Sequence, residues 1–506
     1  MLFKITSASL QGIEGYPVEV EVDISAGLPG FVTVGLPDAA IRESKERVRA
    51  ALKNCGYDLD SRKITINLAP ADRRKEGSAF DLPIALGILA YLQVVPSEGL
   101  QDYLFVGELA LDGRLKPARG VLPIALTARK LGLRGIVVPR MNAKEASLVQ
   151  DLPVFGLENL VEVARFLTAP CDFSPVRFAL DELLLAPPDA LDFEEVKGQY
   201  HVKRALEVAA AGAHNILLVG PPGAGKTMLA RRLPTILPEM SLDEIIEVTQ
   251  VYSAAGLLVD SGALTGRPFR APHHTITDPA LIGGGLVPRP GEVSLAHRGV
   301  LFLDELPEFR RRVLEDLRQP LEDGRVAVSR SSMSVLFPSS FMLVAAMNPC
   351  EDVFRGLAGS RGGCTESEKA RYYSKISGPL LDRIDIQVEV PEVKFKDIVS
   401  RVPAESSAAI RGRVTEARRR QLQRFKGRRI YANAQMGPRD IKRHCAVSAE
   451  AEKLLETAVT KLGFSARAYD RILKVARSIA DLEGREEIAT AHVSEAVQYR
   501  SLDKFR

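Results

Sequence analysis

Gly220-Pro221-Pro222-Gly223-Ala224-Gly225-Lys226-Thr227 fits the pattern G-x-x-x-x-G-K-[ST] and lies between the apolar run Ile216 to Val219 and the helical pattern MLARRL. Strand, glycine-rich loop and helix in that order make a phosphate-binding loop. Its glycines let backbone N–H groups approach phosphate oxygens closely, and the following helix directs its positive end at them. Gly220 to Thr227, with Met228 in the first helical turn, are the expected nucleotide-binding residues. Lys226 would reach the β- and γ-phosphates of ATP, and Thr227 would ligate Mg²⁺.

Outward from this loop, the apolar run Val300 to Leu303 ends in Asp304 and Glu305. Asp304 would hold Mg²⁺, and Glu305, leaving the strand on its other side, would polarise the attacking water as general base. A third apolar run, Phe341 to Met347, ends in Asn348, whose amide would meet the γ-phosphate or that water. In SGPLLDRIDI, Arg383 is a candidate arginine finger for a neighbouring subunit, with a salt bridge to Asp382 or Asp385 as its competing role. SARAYDR opens a helix in which Arg467, in preference to Arg471, would reach the nucleotide.

The 506 residues suffice for three or four domains, and 46% hydrophobic with 26% charged residues is a globular composition. Residues 1–168 alternate strand and helix signals. A proline-containing linker is expected over 169–192, a P-loop α/β core over 193–395 and a helical region over 396–506. The longest apolar run, Leu82 to Leu92, is too short to cross a bilayer, and the first residues lack a signal-peptide pattern. A cytoplasmic protein without membrane contact is therefore expected. Five scattered cysteines without a CxxC pair predict neither a disulfide framework nor a zinc site.

The order of Gly220–Thr227, Asp304-Glu305, Asn348, Arg383 and Arg467 resembles that of AAA+ ATPases. FEEVKGQYHVKRALEVAAAGAHN, RPFRAPHHTITDPALIGGG and PRPGEVSLAHRGVLFLDELPEF narrow the resemblance to the ComM/YifB family of magnesium-chelatase-like ATPases. That resemblance implies a AAA+ αβα core with a C-terminal helical lid, assembled as a hexameric ring motor. ATP and Mg²⁺ would be its cofactors, and single-stranded or branched DNA its partner in helicase or branch-migration work. It further implies a helix-2 insert near Thr249 to Gly285 and a pre-sensor-1 hairpin near Arg325 to Phe341. Arg330, with Ser329, Ser331 and Ser332, would contact phosphates at the hairpin tip. A chelatase-type motor remodelling a protein partner is the rival reading.

The first domain is similar to Lon-type protease domains. Aligned residue by residue, their catalytic serine falls on Ala79 and their lysine on Leu122. Neither side chain can act as nucleophile or base, so an assembly or DNA-guiding role is expected in place of proteolysis. Ser78 would supply a nucleophile only if the alignment slipped by one position.

Between Arg401 and Cys445 there are 13 Lys plus Arg against 3 Asp plus Glu, a local net of +10 in a chain of net +4. Arg418 and Arg419 lie in this run. They are candidates for DNA phosphate contact, the alternative being a solvated helix face. His273 and His274 lack a third metal ligand at usable spacing and are read as structural or pore-facing.

Overall fold

The computed structural model describes all residues except 59–61, 178–190, 259–261, 286, 331–332, 351–363, 394, 399–403, 429, 463 and 501–506. The chain forms two compact units. One comprises Met1–Leu185 with Ser241–Thr265, the other Ala186–Met240 with Gly266–Arg506.

The first unit is built on a four-stranded sheet in the order Leu2–Gln11, Glu14–Ser25, Lys63–Ala69, Gly30–Val34. The first three strands pair antiparallel, and Gly30–Val34 runs parallel to Lys63–Ala69. Alternation along Glu14–Ser25 turns Val18, Val20, Val22 and Ile24 inward. Against them lies the apolar helix Asp81–Tyr91, close enough that a Cβ on Gly87 would come within 2.5 Å of Val22 Cγ2. A three-stranded parallel sheet of Tyr103–Phe105, Gly135–Pro139 and Val154–Leu157 completes the unit.

The helix Leu242–Ala255, which lies within the sequence span 193–395, belongs by its contacts to the first unit. Polar anchoring accounts for this placement. Gly120 N–H donates to the Ser253 carbonyl at 3.1 Å, and Gln250 Nε2 donates to the Ile13 carbonyl at 2.7 Å. Ser253 Oγ donates to the buried Glu145 carboxylate at 2.6 Å, and Asn142 donates to it at 2.6 Å. A buried carboxylate is costly without such donors.

The second unit contains an all-parallel five-stranded sheet in the order Phe269–Arg270, Val300–Leu303, Met342–Met347, Ile216–Val219, Ile386–Glu389. The strands Val300–Leu303, Met342–Met347 and Ile216–Val219 are buried throughout, as expected of continuous apolar runs in a parallel sheet. Helices Ser407–Arg424, Ala449–Leu462, Ala466–Leu482 and Thr490–Gln498 follow. Val414, Ala417, Ile472 and Ile479 share one apolar core with Leu206, Ile216 and Ile386. The C-terminal helices are thus packed into the core of the sheet unit.

The strands Arg325–Arg330 and Met333–Pro338 form an antiparallel hairpin where one was expected. Ser329 and Ser334 hydroxyls meet across it at 2.9 Å. Ser331, Ser332 and the Arg330 side chain lie outside the described residues.

Candidate nucleotide site

The Ile216–Val219 strand is flanked by Met342–Met347 on one side and Ile386–Glu389 on the other. Parallel open sheets bind ligands at the carboxyl ends of strands around such a reversal of order. Gly220 leaves the strand there. A Cβ on it would lie 2.2 Å from the Val390 carbonyl, so only glycine lets the loop pass. Gly223 and Gly225 take φ of +80° and +85°, left-handed conformations that open the loop ahead of the helix Lys226–Ile236.

Lys226 is buried, and its Nζ donates to the Gly220 carbonyl at 2.6 Å, the Pro221 carbonyl at 2.9 Å and Asn348 Oδ1 at 2.9 Å. Thr227 Oγ1 donates to Asp304 Oδ2 at 2.7 Å. Asp304 Oδ1 accepts from the Glu305 N–H at 3.0 Å. Glu305 has φ +52°, and its Oε2 lies 3.3 Å from His274 Nδ1. Asn348 is steadied from outside the sheet by Tyr372, whose hydroxyl donates to its carbonyl at 2.9 Å. Three adjacent strand ends thus assemble a cation, a hydroxyl, two carboxylates and an amide around one loop. Thr227 and Asp304 present the hard oxygen donors that Mg²⁺ prefers.

Comparison with known proteins gives the family. Residues 192–398 match the family model for magnesium chelatase, subunit ChlI. Residues 20–142 match the model for subunit ChlI of Mg-chelatase, and residues 404–500 the ChlI C-terminal model. The chain is 43% identical over 501 residues to competence protein ComM of Haemophilus influenzae, covering 98% of this chain and 97% of that one. It is also 43% identical over 507 residues to YifB of Escherichia coli, covering 99% and 97%. The chain belongs to the ComM/YifB family of magnesium-chelatase-like proteins. A more distant likeness, 25% over 255 residues, joins it to the magnesium-chelatase 38 kDa subunit of Rhodobacter capsulatus, covering 45% of this chain and 69% of that one.

In this ComM/YifB-family chain the remaining expected site residues fall into three groups. Arg383 lies near Arg318, Arg467 and Arg471, and burial together with these cations pushes its guanidinium below the ordinary arginine value. It pairs with Glu322 and donates to the Pro379 carbonyl at 2.6 Å. Neither neighbouring aspartate is its partner. Asp382 instead meets exposed Arg467 at 3.5 Å, and Asp385 meets Arg471 at 3.3 Å.

The basic run is largely spent inside the chain. Arg418 donates to the carbonyls of Ala210 at 2.9 Å and Ala211 at 3.3 Å, at the end of the helix Tyr200–Gly212. Arg424 forms a two-pronged pair with buried Asp481. Arg419 is exposed, and its contact is with Glu416 on the same helix. Of the two arginines in this run expected to face DNA, Arg419 lies at the surface with its charge near solvent.

Two residues add to the sequence reading. Gln199, at φ +51°, donates through Nε2 to the Ala224 carbonyl at 2.8 Å and the Pro391 carbonyl at 3.1 Å, bracing the loop from behind. It stands in the quoted VKGQYHVK stretch, but a buried glutamine carries no spacing signal. The second addition is a correction. Cys350 and Cys364 form a disulfide with Cα atoms 6.4 Å apart, where no disulfide was expected. Fourteen residues of separation and the lack of a CxxC pattern hid the pair.

In the first unit, the two positions aligned with a protease dyad hold no reactive group. Leu122 is fully buried, and the Ala79 carbonyl accepts from the Gly107 N–H at 2.9 Å. Ser78 hydrogen-bonds Glu108.

Proposed function

We propose that this chain is an ATP-driven DNA motor working as a hexameric ring. The observation that carries the nucleotide part is the meeting of Lys226, Thr227, Asp304, Glu305 and Asn348 at three adjacent strand ends. Gly220 to Met228 bind the triphosphate, with Lys226 leaving its loop carbonyls for phosphate oxygens. Thr227 and Asp304 hold Mg²⁺, which neutralises charge on the β- and γ-phosphates when bound. Glu305 takes the proton from the attacking water, and Asn348 orients that water or the γ-phosphate. Arg383 serves a neighbouring copy's nucleotide, and Arg467 serves its own.

The DNA part rests on the family and on surface chemistry. One relative is named a competence protein, the Arg325–Pro338 hairpin suits a pore element, and Arg419 offers positive charge. The first unit, Lon-like in pattern and without a dyad, would guide DNA or assembly. ATPase rate and strand displacement, measured on single-stranded, duplex and branched DNA, test this reading. Stimulation by DNA with unwinding of at least one substrate is the expected result. ATP turnover indifferent to every DNA would favour the chelatase-type reading, in which the same site remodels a protein partner.

A further inference from the structure

The helix Tyr200–Gly212 ends in Ala213-His214-Asn215, and both polar residues turn toward the segment that carries Arg383. Asn215 Nδ2 donates to the Arg383 carbonyl at 2.9 Å. The Asn215 carbonyl accepts from the N–H groups of Asp385 at 3.0 Å and Ile386 at 3.1 Å. His214 is fully buried. Its Nδ1 lies 3.0 Å from Asp385 Oδ2, and its Nε2 lies 2.8 Å from Ser478 Oγ. Asp385 is itself buried, yet His214, Arg471 and Lys474 outweigh the cost of burial and hold its carboxyl below the ordinary range. An ionised carboxylate only accepts, so Nδ1 carries the hydrogen in this contact.

Ser478 and Arg471 both belong to the helix Ala466–Leu482, whose first turn also carries Arg467. The segment around Arg383 is therefore gripped at every residue from 382 to 385 that has a polar handle. Arg467 meets Asp382, Asn215 holds the Arg383 carbonyl, and His214 and Arg471 share Asp385. Space for the imidazole is made by Gly212, where a Cβ would lie 2.2 Å from His214 Nε2 and 2.4 Å from Ser478 Oγ.

We infer that His214 and Asp385 are positioning residues for Arg383. They fix the turn that carries this arginine to the strand beginning at Ile216 and to the helix bearing Arg467, so that its guanidinium leaves Glu322 for a neighbouring copy's phosphate from a rigid base. A buried, charged chain that joins three elements suits this task, since each link has one geometry that satisfies it and breaking one leaves charge unpaired. The inference rests on the proposed trans role of Arg383.

Mixed assemblies test it. Full-length Lys226→Ala subunits, which offer Arg383 but hydrolyse nothing, are combined with Arg383→Ala subunits, which bind ATP but offer no arginine. ATPase activity recovered on mixing can come only from sites completed across the subunit boundary. Adding His214→Ala to the Lys226→Ala partner should lower that activity about tenfold, while adding it to the Arg383→Ala partner should change it less than about twofold. His214→Gln, which keeps a donor for Asp385, should restore most of the loss. If His214→Ala does not assemble, Arg471→Gln at the other oxygen of Asp385 takes its place with the same expectation. Equal loss in either partner, or none, overturns the inference. No activity in the unmodified mixture refutes instead the trans role of Arg383.

Discussion

Thr227 Oγ1 and Asp304 Oδ2 are joined by a 2.7 Å hydrogen bond although their strands are not neighbours, the Met342–Met347 strand running between them. The hydroxyl comes from the first turn of the loop helix and the carboxylate from a strand end. This oxygen pair predicts a specific metal dependence. In wild type, chelating Mg²⁺ should weaken binding of a fluorescent ATP analogue about tenfold or more. In Thr227→Val or Asp304→Asn the same titration should respond little to Mg²⁺, and an undiminished response would remove these residues from the metal site.

Lys226 and Glu305 should separate binding from turnover. Lys226→Ala removes the cation that now spans two loop carbonyls and Asn348, and should abolish detectable ATP binding. Glu305→Gln keeps size and hydrogen bonding but loses basicity. It should retain nucleotide affinity within about twofold while turnover falls by about 10² or more. Normal turnover in Glu305→Gln would exclude it as the base.

Arg418 and Arg419 are adjacent but should behave oppositely. Arg418→Ala removes the side-chain donor to the Ala210 carbonyl, while the Ala211 carbonyl keeps Gln421 Nε2 at 3.1 Å, and should cost about 1–2 kcal/mol, seen as a lower melting temperature. Arg419→Ala should leave melting unchanged. If its charge serves DNA, it should reduce the dependence of DNA affinity on salt by about one unit of slope.

Asp81 carries a pH signature for the first unit. Burial pushes its carboxyl up to about 6 from 3.8, against the opposing pull of Arg47, which donates to it at 2.7 and 3.0 Å. A raised carboxyl favours the folded state below the unfolded value, and that contribution is lost as pH rises through the folded one. Relative to Asp81→Asn, wild type should therefore lose up to about 3 kcal/mol between pH 4 and pH 6.5. Parallel melting of the two proteins across that range checks this, and a constant difference would contradict it.

The cysteines should sort themselves by alkylation. Without reductant, native protein should label exposed Cys171, while Cys350 and Cys364 appear as one linked peptide pair. Buried Cys445, its thiol pushed up to about 12 by burial, should label only after unfolding. Alkylation of Cys350 in the unreduced native protein would refute the linkage.

What could be read from the sequence follows from how local the cause is. The loop Gly220–Thr227, the strand before it and the acids after Leu303 announce themselves within a few residues, because phosphate cradling and parallel-sheet burial each impose a short pattern. Asp382, Asp385, Arg467 and Arg471 could not be paired correctly, since nearest sequence neighbours looked like the natural partners of Arg383. The true pairs join segments more than 80 residues apart. Arg418 misled for a similar reason. A run of arginines reads as surface charge until the helix ends it caps are known. The helix Leu242–Ala255 has ordinary amphipathic spacing, and nothing in its own residues says that Ile13 and Glu145 are its partners.

That helix also governs how the molecule can be divided. The backbone passes from one unit to the other near residue 186, returns near 241 and leaves again near 266. No single cut therefore releases either unit whole. A fragment ending at Leu185 would leave Glu145 without the Ser253 hydroxyl and Gly120 without its carbonyl acceptor. A fragment starting at Ala186 would carry the Leu242–Ala255 helix without its polar anchors. Shuffling either half between relatives by simple exchange of termini would break both, so the two units are constrained to be inherited together.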